Sequence, residues 1–170
     1  MPNVWLWLRV RSISRRLINL TKYPCESGDI FLMWHYQGKE YTETPEEYQG
    51  FVYEILELDT GKRYIGKKFF WKPKILPITK TRKRRVRTRA ESDWRSYYGS
   101  STEVKFLVEQ KGVDNYTRTM LKLCKTKGEC SYYEAKLQFE HDVLLRDDYY
   151  NEFIGCKIHS KHLRKDNDSN

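Results

Sequence analysis

Nothing in this chain approaches eighteen consecutive apolar residues, so no segment reads as a membrane-crossing helix. The apolar start, Val4 to Leu8, has no basic stretch before it and no small-residue cleavage site after it, and is not read as a signal peptide. Cysteine is scarce. There are four, Cys25, Cys124, Cys130 and Cys156, with no CxxC among them, and the chain is too large and core-rich to need disulfide staples. Reduced, intracellular thiols are expected. Cys156, His159 and His162 stand close in sequence, but their spacing fits no zinc pattern and a fourth ligand is missing. No nucleotide-binding glycine loop, nucleophile–base pair, cofactor fingerprint or internal repeat is present. Apolar residues make up 39% of the 170, enough for a core and consistent with one domain plus an appendage.

Acidic residues are missing from one stretch. Between Gly61 and Ala90 there are thirteen Lys or Arg and no Asp or Glu. Without those thirteen the chain has 19 basic and 23 acidic residues, so this segment carries all of the net charge of +9. Such a local field points to a polyanion, above all nucleic acid, against the plainer reading of a solvated loop. Seven of the charges fall in Lys80–Arg89, where mutual repulsion argues against order unless an anion lies alongside.

Along the chain, residues 1–49 read as an N-terminal extension. Arg9, Arg11, Arg15 and Arg16 lie there among apolar residues, which suits a packed arm, a basic arm or a mobile tail. Tyr23–Gly50 is turn-rich, with a short strand at Phe31–Tyr36. Residues 50–152 carry the stronger signals. Gly50–Leu58 and Arg63–Lys67 form a hairpin around Asp59-Thr60-Gly61, and Phe69, Phe70 and Trp71 follow as an apolar plug. A basic insert, residues 72–91, reads as an irregular loop opened by Pro73 and Pro77. Ser92–Tyr98 is expected as a short helix. Ser100 with Glu103 forms a capping box before a helix over Thr102–Lys111, which Gly112 ends. Tyr116–Cys124 is a third strand, and Ser131 starts the longest helix, to about Arg146, with Tyr133, Leu137 and Leu144 on its stripe. Residues 153–170 are a short strand, Phe153–Ile158, and a polar tail. The expected fold is α+β, a small antiparallel three-stranded sheet flanked by helices.

The hairpin FVYEILELDTGKRYIGKK places Tyr53 and Tyr64 on antiparallel neighbours, with Lys67 and Lys68 following the second. Two packed tyrosines on a sheet face account for the pair in the plainest way. The alternative is a cleft in which phenols and ammonium groups meet a phosphate. The wider sequence resembles the GIY-YIG nuclease module. FVYEI, DTGK and KRYIGKK look like its hairpin, and SDWRSYYGSSTEVKFLVEQKGVDNY like its first helical region. YTRTMLKLC looks like its third strand, and ECSYYEAKLQFEHDVLLRDDYYN like its glutamate helix and asparagine. The similarity runs in order from Phe51 to Asn151 and is nearest to homing-type GIY-YIG endonucleases of tailed bacteriophages.

The resemblance implies a phosphodiester hydrolase acting on double-stranded DNA, as a monomer or transient dimer, away from membranes and inside the cell, the host cytoplasm for a phage-encoded chain. It implies that Tyr64 is the general base or water-positioning group, that Tyr53 lines the same pocket, that Glu134 binds one Mg²⁺ or Mn²⁺, and that Asn151 pins the site. Phe51 and Val52 replace the usual Gly-Ile. The catalytic arginine is out of register: Arg95 is the first candidate, Arg89 and Lys67 the substitutes, and Tyr97 stands where histidine is expected. Glu134 also fits a capping box with Ser131. Lys68, Lys80, Arg82, Lys83, Arg84, Arg85, Arg87 and Arg89 are expected to meet DNA backbone. Two rivals remain: a nucleic-acid-binding protein on a decayed nuclease fold, and an assembly protein that neutralises nucleic acid.

Overall fold

The computed structural model describes residues 33–160 and Leu163. The basic N-terminal arm, Cys25, the start of the strand read from Phe31, and His162 with most of the polar tail lie outside these. The elements run β1 (Trp34–Tyr36), β2 (Lys39–Tyr41), β3 (Gly50–Glu57), β4 (Arg63–Phe69), β5 (Trp71–Leu76), β6 (Val86–Glu91), α1 (Thr102–Lys111), β7 (Tyr116–Cys124) and α2 (Lys127–Glu140), with single 3₁₀ turns at Trp94–Ser96 and Val113–Asn115.

The fold is α+β, but the sheet has five strands rather than three, in the order β2-β1-β7-β3-β4. The antiparallel trio β7-β3-β4 is there; the stretch read as a lead-in adds β1, parallel to β7, and its hairpin partner β2. Trp34 explains why so short a strand holds. It is fully buried, packs edge-on to Phe51 and Tyr53, and donates its indole N–H to the Trp94 carbonyl at 2.8 Å. β3 lies between β7 and β4 with both faces covered, so its sequence GFVYEILE is buried nearly throughout instead of alternating.

One face packs Phe51, Tyr53, Ile55 and Tyr64 against Trp94, Val104 and Val108. The other packs Val52 and Ile65 against Cys130, Val143 and Tyr149. Thus α1 covers the first face and α2 the second. The N-cap of α1 is Ser101, whose Oγ accepts from Val104 N–H, and not Ser100 as expected; a cap of this kind contributes about 1 kcal/mol. Gly112, at φ 85°, ends the helix as expected. The α2 helix starts four residues before Ser131. Its capping box is Thr126 with Glu129: the threonine accepts from Glu129 N–H at 3.1 Å, and the glutamate accepts from Lys125 N–H at 2.7 Å. It ends at Glu140, so Leu144 lies beyond it and is exposed.

Three further expectations are corrected. The basic insert is not irregular throughout: Trp71–Leu76 and Val86–Glu91 pair as a two-stranded ribbon, β5–β6, and only residues 77–85 between them form a loop. Backbone pairing holds it despite its like charges, and Arg89 relieves part of the repulsion by stacking on Trp71 at 4.3 Å. Ser92–Tyr98 forms only the 3₁₀ turn Trp94–Ser96, because the backbone is already extended at Tyr97. Phe153–Ile158 is not a strand. The edge it would join is met instead by Asp148–Tyr150: Arg63 N–H donates to the Asp148 carbonyl at 2.8 Å and Tyr150 N–H to the Arg63 carbonyl at 2.7 Å.

Candidate active site

Strand β4 is the edge of the sheet, and a pocket of about 390 Å³ wraps around it. Tyr64 and Lys67 are three positions apart and so leave opposite faces of the strand. Tyr64 enters the pocket beside Ser100–Thr102, where the chain enters α1. Lys67 enters beside Glu134 and Gln138 of α2, and residues 150–155 close the third side.

The edge backbone is pinned at Ile65. Asn151 accepts from Ile65 N–H at 2.9 Å and donates back to the Ile65 carbonyl at 2.8 Å, while Gln138 donates to the same carbonyl at 3.0 Å. One side-chain amide thus stands in for a neighbouring strand and satisfies two backbone groups that would otherwise be buried without partners. Gln138 lies one helical turn from Glu134, so α2 places both on the same side.

Glu134 is in mid-helix, which removes its reading as a cap. Its carboxylate accepts from Lys67 Nζ at 2.5 Å, and both side chains are largely screened from water. The Tyr64 hydroxyl lies 2.9 Å from Ser100 Oγ. Tyr53 is fully buried behind the pocket wall rather than on its lining, with its ring 6.2 Å from Tyr64. Burial pushes the Tyr53 phenol well above its ordinary range, and the neighbouring Tyr97 and Tyr64 phenols add to this. Tyr53 therefore stays protonated, with its hydroxyl set against the Tyr97 phenol. Gly66 makes this possible: a Cβ there would lie 2.5 Å from the Tyr53 hydroxyl and 3.0 Å from the Tyr64 ring.

A family model described as "Putative endonuclease segE, GIY-YIG domain" matches residues 34–154. The chain belongs to the GIY-YIG endonuclease family. No curated protein and no solved structure matches it. The family is one of nucleases, and the matched residues include the whole β3–β4 hairpin that carries Tyr53, Tyr64 and Gly66.

Of the remaining site candidates, Arg95 is not brought to the pocket. It bonds to Glu91, the Thr42 carbonyl and Thr44 and lies over the Trp94 ring, on the β2 side of the molecule. Lys68 is turned to Asp93, at 2.8 Å, and over the Tyr97 ring at 3.7 Å; its hydrogen bond holds the Asp93 carboxyl below the ordinary range. Arg87 and Arg89 are exposed on β6, Lys80, Lys83, Arg84 and Arg85 are exposed on the loop that joins β5 to β6, and Arg82 of that loop is half-buried against the Pro77 carbonyl. The sequence reading overlooked Ser100 and Gln138 as pocket residues. It also overlooked Arg118, buried between Trp34 and Tyr98, which donates to the Arg95 and Tyr97 carbonyls at 2.8 and 3.1 Å. The helical spacing from Glu134 to Gln138 was the available signal for one of them.

Among the described residues, no group of three or more His, Cys, Asp or Glu side chains is arranged to cage a metal ion. The pocket does suit a hydrated hard cation such as Mg²⁺, which takes one or two carboxylates and completes its shell with water and substrate phosphate. Glu134 is such a carboxylate, and it already holds a positive group, the Lys67 ammonium.

Proposed function

We propose that this chain is a metal-dependent endonuclease that hydrolyses phosphodiester bonds of double-stranded DNA, using Mg²⁺ or Mn²⁺ held by Glu134. The observation that supports this most is the meeting of a phenol, an ammonium and a carboxylate around one backbone-pinned strand edge, in a nuclease-family chain. When bound, the cation neutralises charge on the scissile phosphate and polarises its oxygens.

The other steps belong to the protein. Tyr64 positions the attacking water through its hydroxyl, and Ser100 fixes the direction of that hydroxyl. Lys67 releases Glu134 and turns its charge to the phosphate, the role first given to Arg95. Tyr53 stays neutral and buttresses Tyr64. Asn151 and Gln138 hold Ile65, and so the strand that carries Tyr64 and Lys67, in register. Residues 50–152 act as the nuclease unit, inside the cell, as a monomer or a transient dimer on DNA.

The position of Arg95 favours a second reading, a nucleic-acid-binding or assembly protein that no longer cuts. Nicking of supercoiled plasmid separates the two. The wild type is expected to nick only with Mg²⁺ or Mn²⁺, and Glu134→Ala to lose at least 100-fold in rate, as for loss of a principal electrostatic group, with DNA affinity nearly unchanged. Metal-independent stoichiometric binding without nicking would leave the second reading.

A further inference from the structure

The ribbon β5–β6 is a sheet of its own, and nothing in the nuclease pocket accounts for it. Its base is clamped. Trp71 donates to the Tyr48 carbonyl at 3.1 Å, Gln49 donates to the Trp71 carbonyl at 3.1 Å, Ser92 donates to the Phe69 carbonyl at 2.6 Å, and Arg89 donates to the Glu46 carbonyl at 3.2 Å. The tip is closed as well: Thr79 and Arg82 exchange backbone hydrogen bonds of 3.0 and 3.1 Å around Lys80-Thr81. Between base and tip both faces are open to solvent.

The register decides what each face offers. Ile75 pairs with Arg87 and Pro73 with Arg89, so these four share one face. Lys72 pairs with Ala90 and Lys74 with Thr88 on the other. Both faces are therefore basic. An element that only tracks one phosphate strand needs charge on one side. Charge on both sides of a ribbon one strand-pair wide matches a slot with anionic walls on left and right. The major groove of B-DNA is such a slot, about 12 Å across, and it admits a two-stranded ribbon. The ribbon also exposes Ile75 and Val86, at 61% and 43%, one on each face, where apolar contact with thymine methyls is available.

We infer that the β5–β6 ribbon enters the major groove of duplex DNA and reads base pairs within one helical turn of the bond that is cut. The distance comes from the chain. Leu76 is nine residues from Lys67, a span of at most about 32 Å, and a turn of B-DNA rises about 34 Å. The cutting distance rests on the nuclease reading; groove entry does not.

The test uses the full chain in EDTA, so that binding is read without cutting. Bound duplexes are selected from a randomised double-stranded pool and mapped by guanine-N7 methylation interference, which reports the major groove. A sequence preference with N7 interference is expected. Lys74→Gln with Arg87→Gln should abolish the interference and weaken binding to the selected duplex about 10- to 100-fold. Lys83→Gln with Arg84→Gln, at the tip, should weaken selected and random duplexes alike and lower the salt slope by about 2. All four side chains are exposed, so thermal unfolding of both variants should match the wild type.

Sequence-blind binding with only phosphate interference, interference confined to the minor groove, a preference for single strands or RNA, or no duplex binding would each overturn the inference. Adding Mg²⁺ to the wild type then scores the nuclease separately. Recognition without cutting refutes catalysis and leaves the ribbon standing; cutting without recognition does the reverse.

Discussion

Replacing Glu57 by glutamine should cost more stability at neutral pH than in acid. Glu57 is fully buried at the end of β3 and accepts from Lys111, Thr60, Tyr150 and Tyr116, the two tyrosines at 2.6 and 3.1 Å. Burial alone would raise its carboxyl, but these four donors outweigh burial and hold it at about 2 against an ordinary 4.5. At ~1.4 kcal/mol per pH unit, that difference is worth about 3 kcal/mol. The folded-state value is depressed, so the stabilisation is fully present above pH 4.5 and is lost as pH falls toward 2. Glutamine keeps the shape without the charge and cannot titrate. The stability gap between wild type and Glu57→Gln should therefore be about 3 kcal/mol at pH 7 and half of that or less at pH 3. Urea unfolding of both proteins across that range measures it, and the subtraction removes the contribution of the other acids. A gap that stays constant with pH, or is under 1 kcal/mol at pH 7, would refute the assignment of Glu57 as an ionised hub. The hub matters to the pocket because Tyr150 is the residue before Asn151.

Two further perturbations bear on the same edge strand. Asn151→Ala leaves Ile65 N–H without an acceptor while Gln138 still serves the Ile65 carbonyl; about 1–3 kcal/mol should be lost in thermal unfolding, with a larger fractional loss of nicking, because Tyr64 and Lys67 share the released strand. Gly66→Ala drives a methyl against the buried Tyr53 hydroxyl and the Tyr64 ring, and should cost about 1–3 kcal/mol in a chemical denaturation series; stability within 0.5 kcal/mol of wild type would refute the account of why glycine is there.

What could be read from the sequence was what local chemistry writes. Gly61 at φ 74° and Gly112 at φ 85° mark the ends of elements that they themselves terminate, so the β3–β4 hairpin and α1 fell where expected. The first three-residue strand could not be read as part of the sheet, because its partner β7 lies more than eighty residues away and its hold depends on Trp34 meeting Phe51 and Tyr53. The start of α2 was misplaced because Ser131-Tyr-Tyr-Glu134 imitates the cap that Thr126–Glu129 makes. The ribbon was missed because two prolines and seven clustered charges argue against pairing, while two of its anchors, Tyr48 and Gln49, lie 23 and 22 residues before Trp71. Tyr64, Lys67, Glu134 and Asn151 were legible as a set only through family resemblance. Ser100 was not, since the serine beside it makes the cap and frees its hydroxyl for Tyr64. Arg118 was invisible because an arginine in a strand reads as solvent-facing, whereas two aromatic rings bury it here.

The position of the pocket follows from the parity of a strand. A site that needs both Tyr64 and Lys67, three residues apart, must reach both faces of β4 at once. Inside a sheet that is impossible, because neighbouring strands separate the faces; at an edge the two sides communicate around the backbone. The edge must then be left without a sixth strand, yet an open edge carries unpaired backbone groups and invites association with other chains. Asp148 and Tyr150 meet this conflict at Arg63, and Asn151 and Gln138 meet it at Ile65, the two residues on either side of Tyr64. The same logic explains why the site draws on four separate segments. One face is supplied from the start of α1, the other from α2, the edge from residues 150–155, and the strand itself carries the pair that the rest must meet. Covering the edge with an added strand would secure β4 and close the site.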